Sequence, residues 1–456
     1  MEAPLRAVER ITMKRSKFRK HMTSAQIIIL GFAALILAGA LLLMLPISSQ
    51  DRTVTPFHET LLTATSASCV TGLIVRSTGA HWSLFGQIIL LILIQTGGLG
   101  VVTVALCFVR LSGRKISLFQ RSAMQDSISA QQVGGIVRMT TLILKGTFLV
   151  EGAGALLMLV PFCRRFGAKG IWYALFHSVS AFCNAGFDLL GTPDDPFPSL
   201  TAFRTDPLLV ITAALLILIG GIGFLTWEDV KTHRLKLRRY RLQSKLILTV
   251  SAVLIVTPTL FYFCFEFTSG TVGQRLLDAF FQAVTPRTAG FNTVDLGAMT
   301  GASRAIMVVL MLIGGASGST AGGMKMNTVA VLFANVGAIF RRRNEVEAYG
   351  RRIDPATVRQ AAAIVTMYLT LFIGGAVAIS TIEGLPIGAC LFESASAVAT
   401  VGLTLGLTPT LGVASQLILT VLMYLGRVGA LTLIYAALAN PDTTPSRLPQ
   451  EKVAVG

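Results

Sequence analysis

Four segments of the chain share one pattern, a short run of small and hydroxyl residues that ends in a single glycine followed by a large apolar residue. They are segments 65–73, 178–187, 282–291 and 394–403, with Gly72, Gly186, Gly290 and Gly402 as their glycines. Successive glycines lie 104 to 114 residues apart, a period too long for a solenoid. The pattern indicates four diverged copies of one unit, or one pore built from four parts.

The composition indicates a membrane protein. Of 456 residues, 53% are hydrophobic and only 13% are charged, about half the fraction usual in soluble proteins. Several segments run for about 20 residues almost without charge, as bilayer-spanning helices do. The first of them has no small-residue cleavage site after it, so a cleaved signal peptide is not expected. Free, buried thiols are expected for the six cysteines: Cys69, Cys107, Cys163, Cys183, Cys264 and Cys390.

The net charge of +17 is concentrated in a few connections between the apolar segments. Basic residues cluster in 1–22, 231–245 and 341–359. These clusters fall on one side of the bilayer if each unit crosses it twice. That distribution follows the positive-inside rule and predicts that both termini are cytoplasmic. Nucleic-acid binding by the clusters is the weaker interpretation.

Each unit has the same order of segments. In the first, the apolar run 25–46 is followed by the stretch 56–68, which is too short to span, then the glycine segment, then the run 82–109. The other units repeat this order with 139–162, 171–182 and 207–229; 246–268, 274–285 and 303–340; 360–382, 386–398 and 412–438. The sequence therefore predicts an all-α polytopic membrane protein of four span–pore helix–loop–span repeats. Its eight transmembrane helices and four re-entrant loops would surround one pseudo-fourfold pore.

The chemistry predicted for the four loops is cation coordination by main-chain oxygens. A filter without charged side chains can replace the hydration shell of a cation with backbone carbonyls. One glycine per loop allows the positive φ that such a turn needs, and the large residue behind it can wedge the loop against the scaffold. Those wedge residues are Leu73, Phe187, Phe291 and Leu403.

Acidic residues predominate in the outward connections, with few balancing cations. They are Asp51, Glu59, Asp188, Asp194, Asp195, Asp206, Asp278, Asp295 and Glu393. Such a distribution would raise the local cation concentration at a pore mouth. For any single one of them, a solvated loop residue is an equally good interpretation. Asp188, two residues past Gly186, is the best candidate for a vestibule charge.

Segment 313–325 is too rich in glycine to stay helical. It has five glycines in ten residues, which predicts a broken helix in the middle of a span. A small-residue packing surface is the alternative, but it would need four-residue spacing over an intact helix. Two cations lie in spans as well: Arg427, about ten residues from either end of its span, and Lys325, for which snorkelling to the interface is a fair alternative. Glu151 and Lys145 are interpreted as a satisfied pair or as interface residues.

On these motifs the chain resembles the Trk/Ktr/HKT superfamily of potassium transporters and channels, specifically its Ktr-type membrane subunit, over residues 25–438. Trk-type bacterial subunits usually carry two further N-terminal spans, whereas only a short basic arm precedes Ala25 here. The resemblance implies a potassium-binding filter made of Cys69, Val70, Thr71, Gly72, Cys183, Asn184, Ala185, Gly186, Arg287, Thr288, Ala289, Gly290, Ala399, Thr400, Val401 and Gly402. It implies a gate made of Gly314, Gly315, Ala316, Ser317, Gly318, Ser319, Thr320, Ala321, Gly322, Gly323, Lys325 and Arg427, with Arg427 as an electrostatic barrier below the filter.

The resemblance also divides the chain and implies its partners. The predicted units are a cytoplasmic arm (1–24), four pore repeats (25–110, 138–230, 244–340 with the gate loop 313–325, and 358–438) and a cytoplasmic tail (439–456). It implies potassium uptake by a sodium-dependent, multi-pass homodimer in the bacterial plasma membrane. A cytosolic ring of regulatory subunits, binding ATP/ADP or NAD, would dock on the basic face. The chain itself would carry no cofactor, because Gly97–Gly100 lies inside a span and precedes no βαβ pattern.

Two other function classes fit the sequence less well. A proton- or sodium-coupled secondary transporter would need an intramembrane relay, but the histidines fall near span ends or in loops. They are His21, His58, His81, His177 and His233. A membrane-embedded enzyme is the more distant alternative, since HExxH, GxSxG and paired catalytic carboxylates are absent from the sequence. The sequence therefore favours a transport protein that is not an enzyme.

Overall fold

A computed structural model describes residues 23–105, 136–234 and 236–429, together with residues 125 and 451, and this part of the chain is mostly helical. Nearly all of the predicted arm 1–24 and tail 439–456 lies outside the described residues. The helices are α1 (Ser24–Leu43), α2 (Phe57–Cys69), α3 (Thr78–His81), α4 (Leu84–Leu99), α5 (Ile136–Phe166), α6 (Lys169–Cys183), α7 (Pro207–Gly221), α8 (Phe224–His233), α9 (Leu242–Phe261), α10 (Val272–Val284), α11 (Gly301–Leu312), α12 (Met326–Phe340), α13 (Pro355–Glu383), α14 (Ile387–Val398) and α15 (Val413–Val428). A π-helical turn, Tyr262–Glu266, extends α9. The strands β1 (Glu347–Ala348) and β2 (Arg351–Arg352) pair antiparallel, with Glu347 opposite Arg352.

The same order of elements occurs in four stretches of the chain: a long helix, a short helix, a glycine-containing loop and a second helix. The short helices, called loop helices below, are α2, α6, α10 and α14, and each leads into one of the glycine loops 69–73, 183–187, 287–291 and 399–403. Their ends agree with the predicted short stretches within two residues. Pro56 and Pro386 stand at the N-caps of α2 and α14, because proline at a helix start removes only an N–H that would be unpaired anyway.

Four helices in the described part of the chain are long and apolar enough to cross a bilayer. They are Ser24–Leu43, Val137–Phe166, Leu242–Glu266 and Pro355–Glu383, the first helix of each stretch. In each of these helices only 28–33% of the most apolar stretch is buried, so most side chains of that stretch face outward. Apolar side chains pointing away from the protein are expected against hydrocarbon. The prediction of a polytopic, mostly helical protein with several apolar helices is confirmed, and the count of eight spans stays a prediction.

The predicted second spans are not continuous helices. Runs 82–109, 207–229 and 412–438 are predicted to be spans, but α4, α7 and α15 end within them, and glycines follow at φ 87°, 88° and 87°. These glycines are Gly100, Gly223 and Gly429. With extended ψ, this conformation is open to glycine and strained for other residues, so the helix stops there. At Gly223 the chain turns by 94° between α7 and α8.

The core lies where the loop helices end. Residues 62–69 of α2, 176–183 of α6 and 392–398 of α14 are all buried. In three stretches a glycine of the second helix lies against the main-chain carbonyl of a loop-helix residue. That residue stands four positions before the loop glycine. The pairs are Gly97 with Ser68, Gly220 with Phe182 and Gly426 with Val398. A Cβ at any of these glycines would collide with the carbonyl oxygen, so the close approach requires glycine.

We expect Gly220→Ala to lower the melting temperature of the purified protein. Its Cβ would collide with the Phe182 carbonyl and lie 2.8 Å from Thr320 Oγ1, and overpacking of this kind destabilises by roughly 1–3 kcal/mol. Gly374→Ala is the matched control, since nothing lies within 4 Å of that site in α13. There the better helix propensity of alanine should leave the melting temperature unchanged or raise it. Equal shifts for both variants, measured in detergent, would contradict the packing account.

Candidate functional site

The four glycine loops have the same backbone conformation. Each has a left-handed residue two positions before its glycine, and the glycine itself is at positive φ. The φ pairs are 59° and 100° for Val70 and Gly72, 59° and 68° for Asn184 and Gly186, 65° and 78° for Thr288 and Gly290, and 52° and 93° for Thr400 and Gly402. Three of the left-handed residues are β-branched, for which the conformation costs about 1–3 kcal/mol. Strain of this size persists only where the surroundings impose it.

A hydroxyl from the end of each loop helix holds the loop. The bonds are Gly72 N to Ser66 Oγ (2.9 Å), Ser180 Oγ to Phe187 O (2.8 Å), Thr285 Oγ1 to Phe291 O (2.6 Å) and Gly402 N to Ser396 Oγ (3.0 Å). The large residue after each glycine is at most 1% exposed, as expected of a wedge. The hydroxyl-rich composition of the four segments therefore has a structural reason, because it fixes a loop conformation that is unfavourable by itself.

The four glycines form a closed ring in chain order. A Cβ placed on Gly72 would lie 3.2 Å from the Cα of Gly186, and one on Gly186 would lie 3.0 Å from that of Gly290. From Gly290 the corresponding distance to Gly402 is 3.3 Å, and from Gly402 back to Gly72 it is 3.0 Å. Each such Cβ would also press on a carbonyl oxygen of the next loop. Loops more than 100 residues apart thus meet around one axis, and side chains at these four positions would not fit.

Segment 313–325 is a folded loop beneath this ring. It starts after α11 and closes on itself where Gly314 N donates to Met324 O (2.8 Å). Ala316 N donates to Gly221 O (2.9 Å), which joins the segment to the end of α7. It also underlies two glycine loops: a Cβ on Gly314 would lie 3.4 Å from Thr288 Cγ2, and one on Gly323 would lie 2.7 Å from Ala399 O. The expected helix break is present, and the alternative of an intact packing helix is excluded.

Arg427 joins this loop to the first stretch of the chain. Its Nη1 donates to Thr320 O (2.5 Å), and its Nη2 donates to Gly97 O (2.5 Å) and Gly98 O (3.3 Å). One guanidinium therefore links the ends of α15 and α4 to the loop, a use that suits its planar set of donors. Lys325 does not snorkel outward. Its Nζ turns back to donate to Ala321 O (2.7 Å) and Gly322 O (3.2 Å) within the loop.

The expected excess of unbalanced outward acid is partly wrong. Glu59 pairs with Arg76 (2.8 Å) and Asp278 with Arg204 (2.7 Å), so two of the nine carboxylates are neutralised. Buried Glu393 is held by other donors: Thr404 Oγ1 (2.5 Å), Leu405 N (3.0 Å) and Thr408 Oγ1 (2.7 Å). The pair of Arg204 and Asp278 could not be inferred from the sequence, because the two residues lie 74 positions apart. Glu59 and Asp278 are therefore in ion pairs, and Glu393 accepts hydrogen bonds from residues just after its glycine loop.

Asp188, the best candidate for a vestibule charge, is only 9% exposed, and its Oδ1 accepts a bond from Leu190 N (3.0 Å). Glu151 is 4% exposed and is not paired with Lys145. Its Oε2 accepts from Gln95 Nε2 (3.3 Å), and its carbonyl accepts from Ser178 Oγ (2.6 Å). Both carboxylates thus belong to the protein interior.

Arg287 has a side-chain environment that sequence reasoning missed. The residue three positions before the glycine is Cys69, Cys183 or Ala399 in the other loops, and Arg287 is the one long side chain among them. It is 4% exposed, and its Nη2 donates to Ser251 Oγ (3.1 Å) and Met326 Sδ (3.3 Å). Nε and Nη1 find no acceptor among the described residues. An isolated buried cation is unfavourable. The sequence signal for this environment was that a long charged residue stands where the other three loops have a small one.

We expect the Arg287→Met variant to have a melting temperature equal to or above that of the parent protein. We expect its ion uptake to be impaired. Replacing a poorly satisfied buried ion by an apolar side chain of similar length is often neutral or stabilising, by up to about 4 kcal/mol. Melting temperature and ion uptake, measured on one preparation, check both parts. Arg287→Lys keeps the charge and serves as control. A variant that is less stable but transports normally would show that the arginine serves folding alone.

All sixteen predicted filter positions lie in the four glycine loops, and all except Gly72 are buried. The described cysteines carry free thiols, and Cys69, Cys183 and Cys390 are buried as expected, whereas Cys163 is half-buried and Cys264 is exposed. Residues 1–22, which hold the first basic cluster, lie outside the described part of the chain, as does Cys107.

Comparison with known proteins agrees with this fold. Residues 4–444 match the family described as "TrkH: Cation transport protein". The chain is 37% identical to the potassium/sodium uptake protein NtpJ of Enterococcus hirae, covering 98% of this chain and 100% of that one. It is 36% identical to the Ktr system potassium uptake protein B of Bacillus subtilis, with the same coverage. The crystal structure of the potassium transporter TrkH from Vibrio parahaemolyticus superposes with a TM-score of 0.73 at 17% identity, over 93% of this chain and 86% of that one, and so shares the fold. The chain belongs to the TrkH family of cation transport proteins.

Proposed function

We propose that this protein carries potassium across the plasma membrane through a filter of main-chain carbonyls at the ring of four glycines. The single observation that carries the proposal is the closed ring itself, in which any side chain would displace a carbonyl. Potassium holds its hydration shell loosely enough for carbonyl rings to replace it. The filter consists of the four residues that end in each loop glycine, and these residues act through their backbones. Potassium is the ion common to the names of the Enterococcus relative, a potassium/sodium uptake protein, and the Bacillus relative, a Ktr system potassium uptake protein, which supports the choice of ion.

We propose further that loop 313–325 is the gate and that Arg427 holds it closed. In support, the loop lies beneath two of the glycine loops, and Arg427 bonds to its Thr320 carbonyl. A fixed guanidinium below a cation filter also repels the ion. Movement of the loop would break one hydrogen bond to Arg427 and open the path below the ring.

The proposed assembly has eight spans, both termini in the cytoplasm, and two copies of the chain in a homodimer. A separate cytosolic ring of nucleotide-binding subunits, for ATP/ADP or NAD, would control the gate. Support for a separate regulatory component comes from the "Ktr system" name carried by the Bacillus relative. Docking would use basic residues of the cytoplasmic face, such as those in 341–359.

An ion-coupled transporter is the second candidate. It is favoured by one observation, the carboxylate of Glu151 buried behind the second glycine loop, 3.8 Å from Cys183 Sγ. The sodium in the name of the Enterococcus relative points the same way.

The experiment that tests the proposal is uptake by liposomes containing the purified chain, with labelled potassium and sodium supplied separately and together. Potassium entry down its own gradient, without sodium or proton movement in step, supports conduction. Strict stoichiometric movement of a second ion supports coupling. Absence of any cation flux from a folded preparation would contradict both.

A further inference from the structure

A cavity of about 1110 Å³ opens between α5 and α8, and none of its described lining residues belongs to the glycine loops. Its lining includes three cations, Arg138, Lys145 and Lys231, together with Glu228 and the hydroxyls of Thr141 and Thr232. All three cationic side chains belong to exposed residues. The cavity is therefore a basic, hydroxyl-lined recess that the transport proposal does not use.

The bend at Gly223 creates this recess. Because α8 leaves α7 at 94°, it turns away from the axis of α7 and meets α5 at its side. Trp227 fixes the meeting point: its Nε1 donates to Ile219 O (3.0 Å), and its ring lies where a Cβ on Gly146 would come within 2.7 Å. Lys145 is adjacent to this contact on α5, and Lys231 follows Trp227 by one helical turn. The cavity occupies the space that the two diverging helices leave open.

The recess lies at the edge of the hydrocarbon layer. On α5, 19 residues separate Lys145 from Arg164, or about 28 Å at 1.5 Å per residue, close to the roughly 30 Å thickness of a bilayer core. Phe148 and Leu149, the next turn after Lys145, are 63% and 74% exposed, as side chains in contact with acyl chains would be. The basic segment 231–245 places this end of α5 on the cytoplasmic side by the positive-inside rule.

Within the described residues, the three cations of the recess are not balanced by acidic side chains. None of the ion pairs formed within residues 23–105, 136–234 and 236–429 includes Arg138, Lys145 or Lys231. Glu228, the one acid among the described lining residues, pairs with Arg241 at 2.9 Å. Three cations therefore face a recess that continues into a lipid-facing surface.

From this juxtaposition we propose that the recess between α5 and α8 binds the phosphate headgroup of an anionic phospholipid of the inner leaflet. Arg138, Lys145 and Lys231 contact the phosphate, and the acyl chains lie along Phe148 and Leu149. Phosphate oxygens accept charge-assisted hydrogen bonds from such donors, and basic recesses between transmembrane helices on the cytoplasmic side suit anionic headgroups. The continuous apolar surface beside the cations favours a lipid over a soluble phosphate.

The test uses the full chain in bilayers of phosphatidylcholine that contain brominated phosphatidylglycerol. Bromine on the acyl chain quenches tryptophan fluorescence at short range, and Trp227 stands beside the recess. The triple variant R138Q/K145Q/K231Q removes its cations. The control R341Q/R342Q/R359Q removes the same charge from exposed cytoplasmic residues elsewhere. Trp227→Phe identifies the share of the signal that comes from Trp227.

We expect the parent protein and the control to prefer phosphatidylglycerol over phosphatidylcholine at Trp227. The triple variant should lose this preference by at least about tenfold, since each cation near the surface contributes roughly fivefold. Equal preference in the triple variant and the control would overturn the proposal. Relief of quenching by millimolar inorganic phosphate would overturn the lipid assignment in favour of a soluble anion. Melting temperatures establish that the variants are folded. The readout is lipid binding, so its failure is distinguishable from a failure of ion transport.

Discussion

Gly290→Ser is expected to remove most of the preference for potassium over sodium. The residue has a φ of 78°, and a Cβ there would lie 2.5 Å from Val401 O and 3.3 Å from the Cα of Gly402. The serine must push a carbonyl of the neighbouring loop out of place, and left-handed backbone adds about 1–2 kcal/mol of strain. A loss of about 1.4 kcal/mol in relative binding changes the ion ratio tenfold. The measurement is the potassium-to-sodium flux ratio in liposomes, where we expect a fall of about tenfold or more.

Gly270→Ser is the matched control for that experiment. Gly270 also has a positive φ, 101°, and lies in the same stretch of the chain, but nothing stands within 4 Å of its Cβ position. It therefore introduces similar backbone strain without disturbing the ring, and the ion ratio should not change. If both serine variants lower the ratio equally, general strain and not the ring explains the result. If neither does, the glycine ring does not select the ion.

Arg427→Ala is expected to raise the rate of cation flux when the regulatory partner is absent. The variant removes the hydrogen bond to Thr320 O and those to Gly97 O and Gly98 O, so loop 313–325 loses its tie to the first stretch. It also removes a positive charge. In general, a unit charge about 10 Å from a cation opposes it by roughly 1.7 kcal/mol at an effective dielectric constant of about 20. We expect flux in liposomes to increase roughly tenfold.

Arg427→Lys separates the two contributions. Lysine keeps the charge, but it lacks the planar fork that reaches Thr320 O and Gly97 O together. Flux near that of the parent protein in the lysine variant would assign the effect to charge, and flux near that of the alanine variant would assign it to the hydrogen bonds. Unchanged flux in Arg427→Ala, with normal folding, would contradict a closing role for this residue.

The parts of the site that follow from composition could be predicted from the sequence. The four loops could be inferred from Gly72 and its three counterparts and from the hydroxyl residues before them. The helix break in 313–325 could be inferred from its dense glycines. Both features have causes that lie within the segment itself. The ends of the loop helices were predictable for the same reason. Apolar runs of about 20 residues also gave the membrane class directly.

The remaining features depend on contacts distant in the chain. Val70 and Thr400 adopt left-handed backbone that their side chains disfavour, and only the surrounding ring imposes it. Gly223 ends a helix inside an apolar run that hydropathy treats as continuous. Arg287 is buried against Ser251 and Met326, which lie 36 and 39 residues away in the chain. In each case tertiary contacts override the local preference, so these features cannot be predicted from a short segment of the sequence.

Anomalous diffraction from crystals grown in rubidium or thallium tests the central claim most directly, because either ion substitutes for potassium and is visible. The account predicts ion density on the axis of the ring formed by Gly72, Gly186, Gly290 and Gly402, within coordination distance of main-chain oxygens from all four loops. Ion density elsewhere in the protein, with an empty axis at saturating ion concentration, would contradict it.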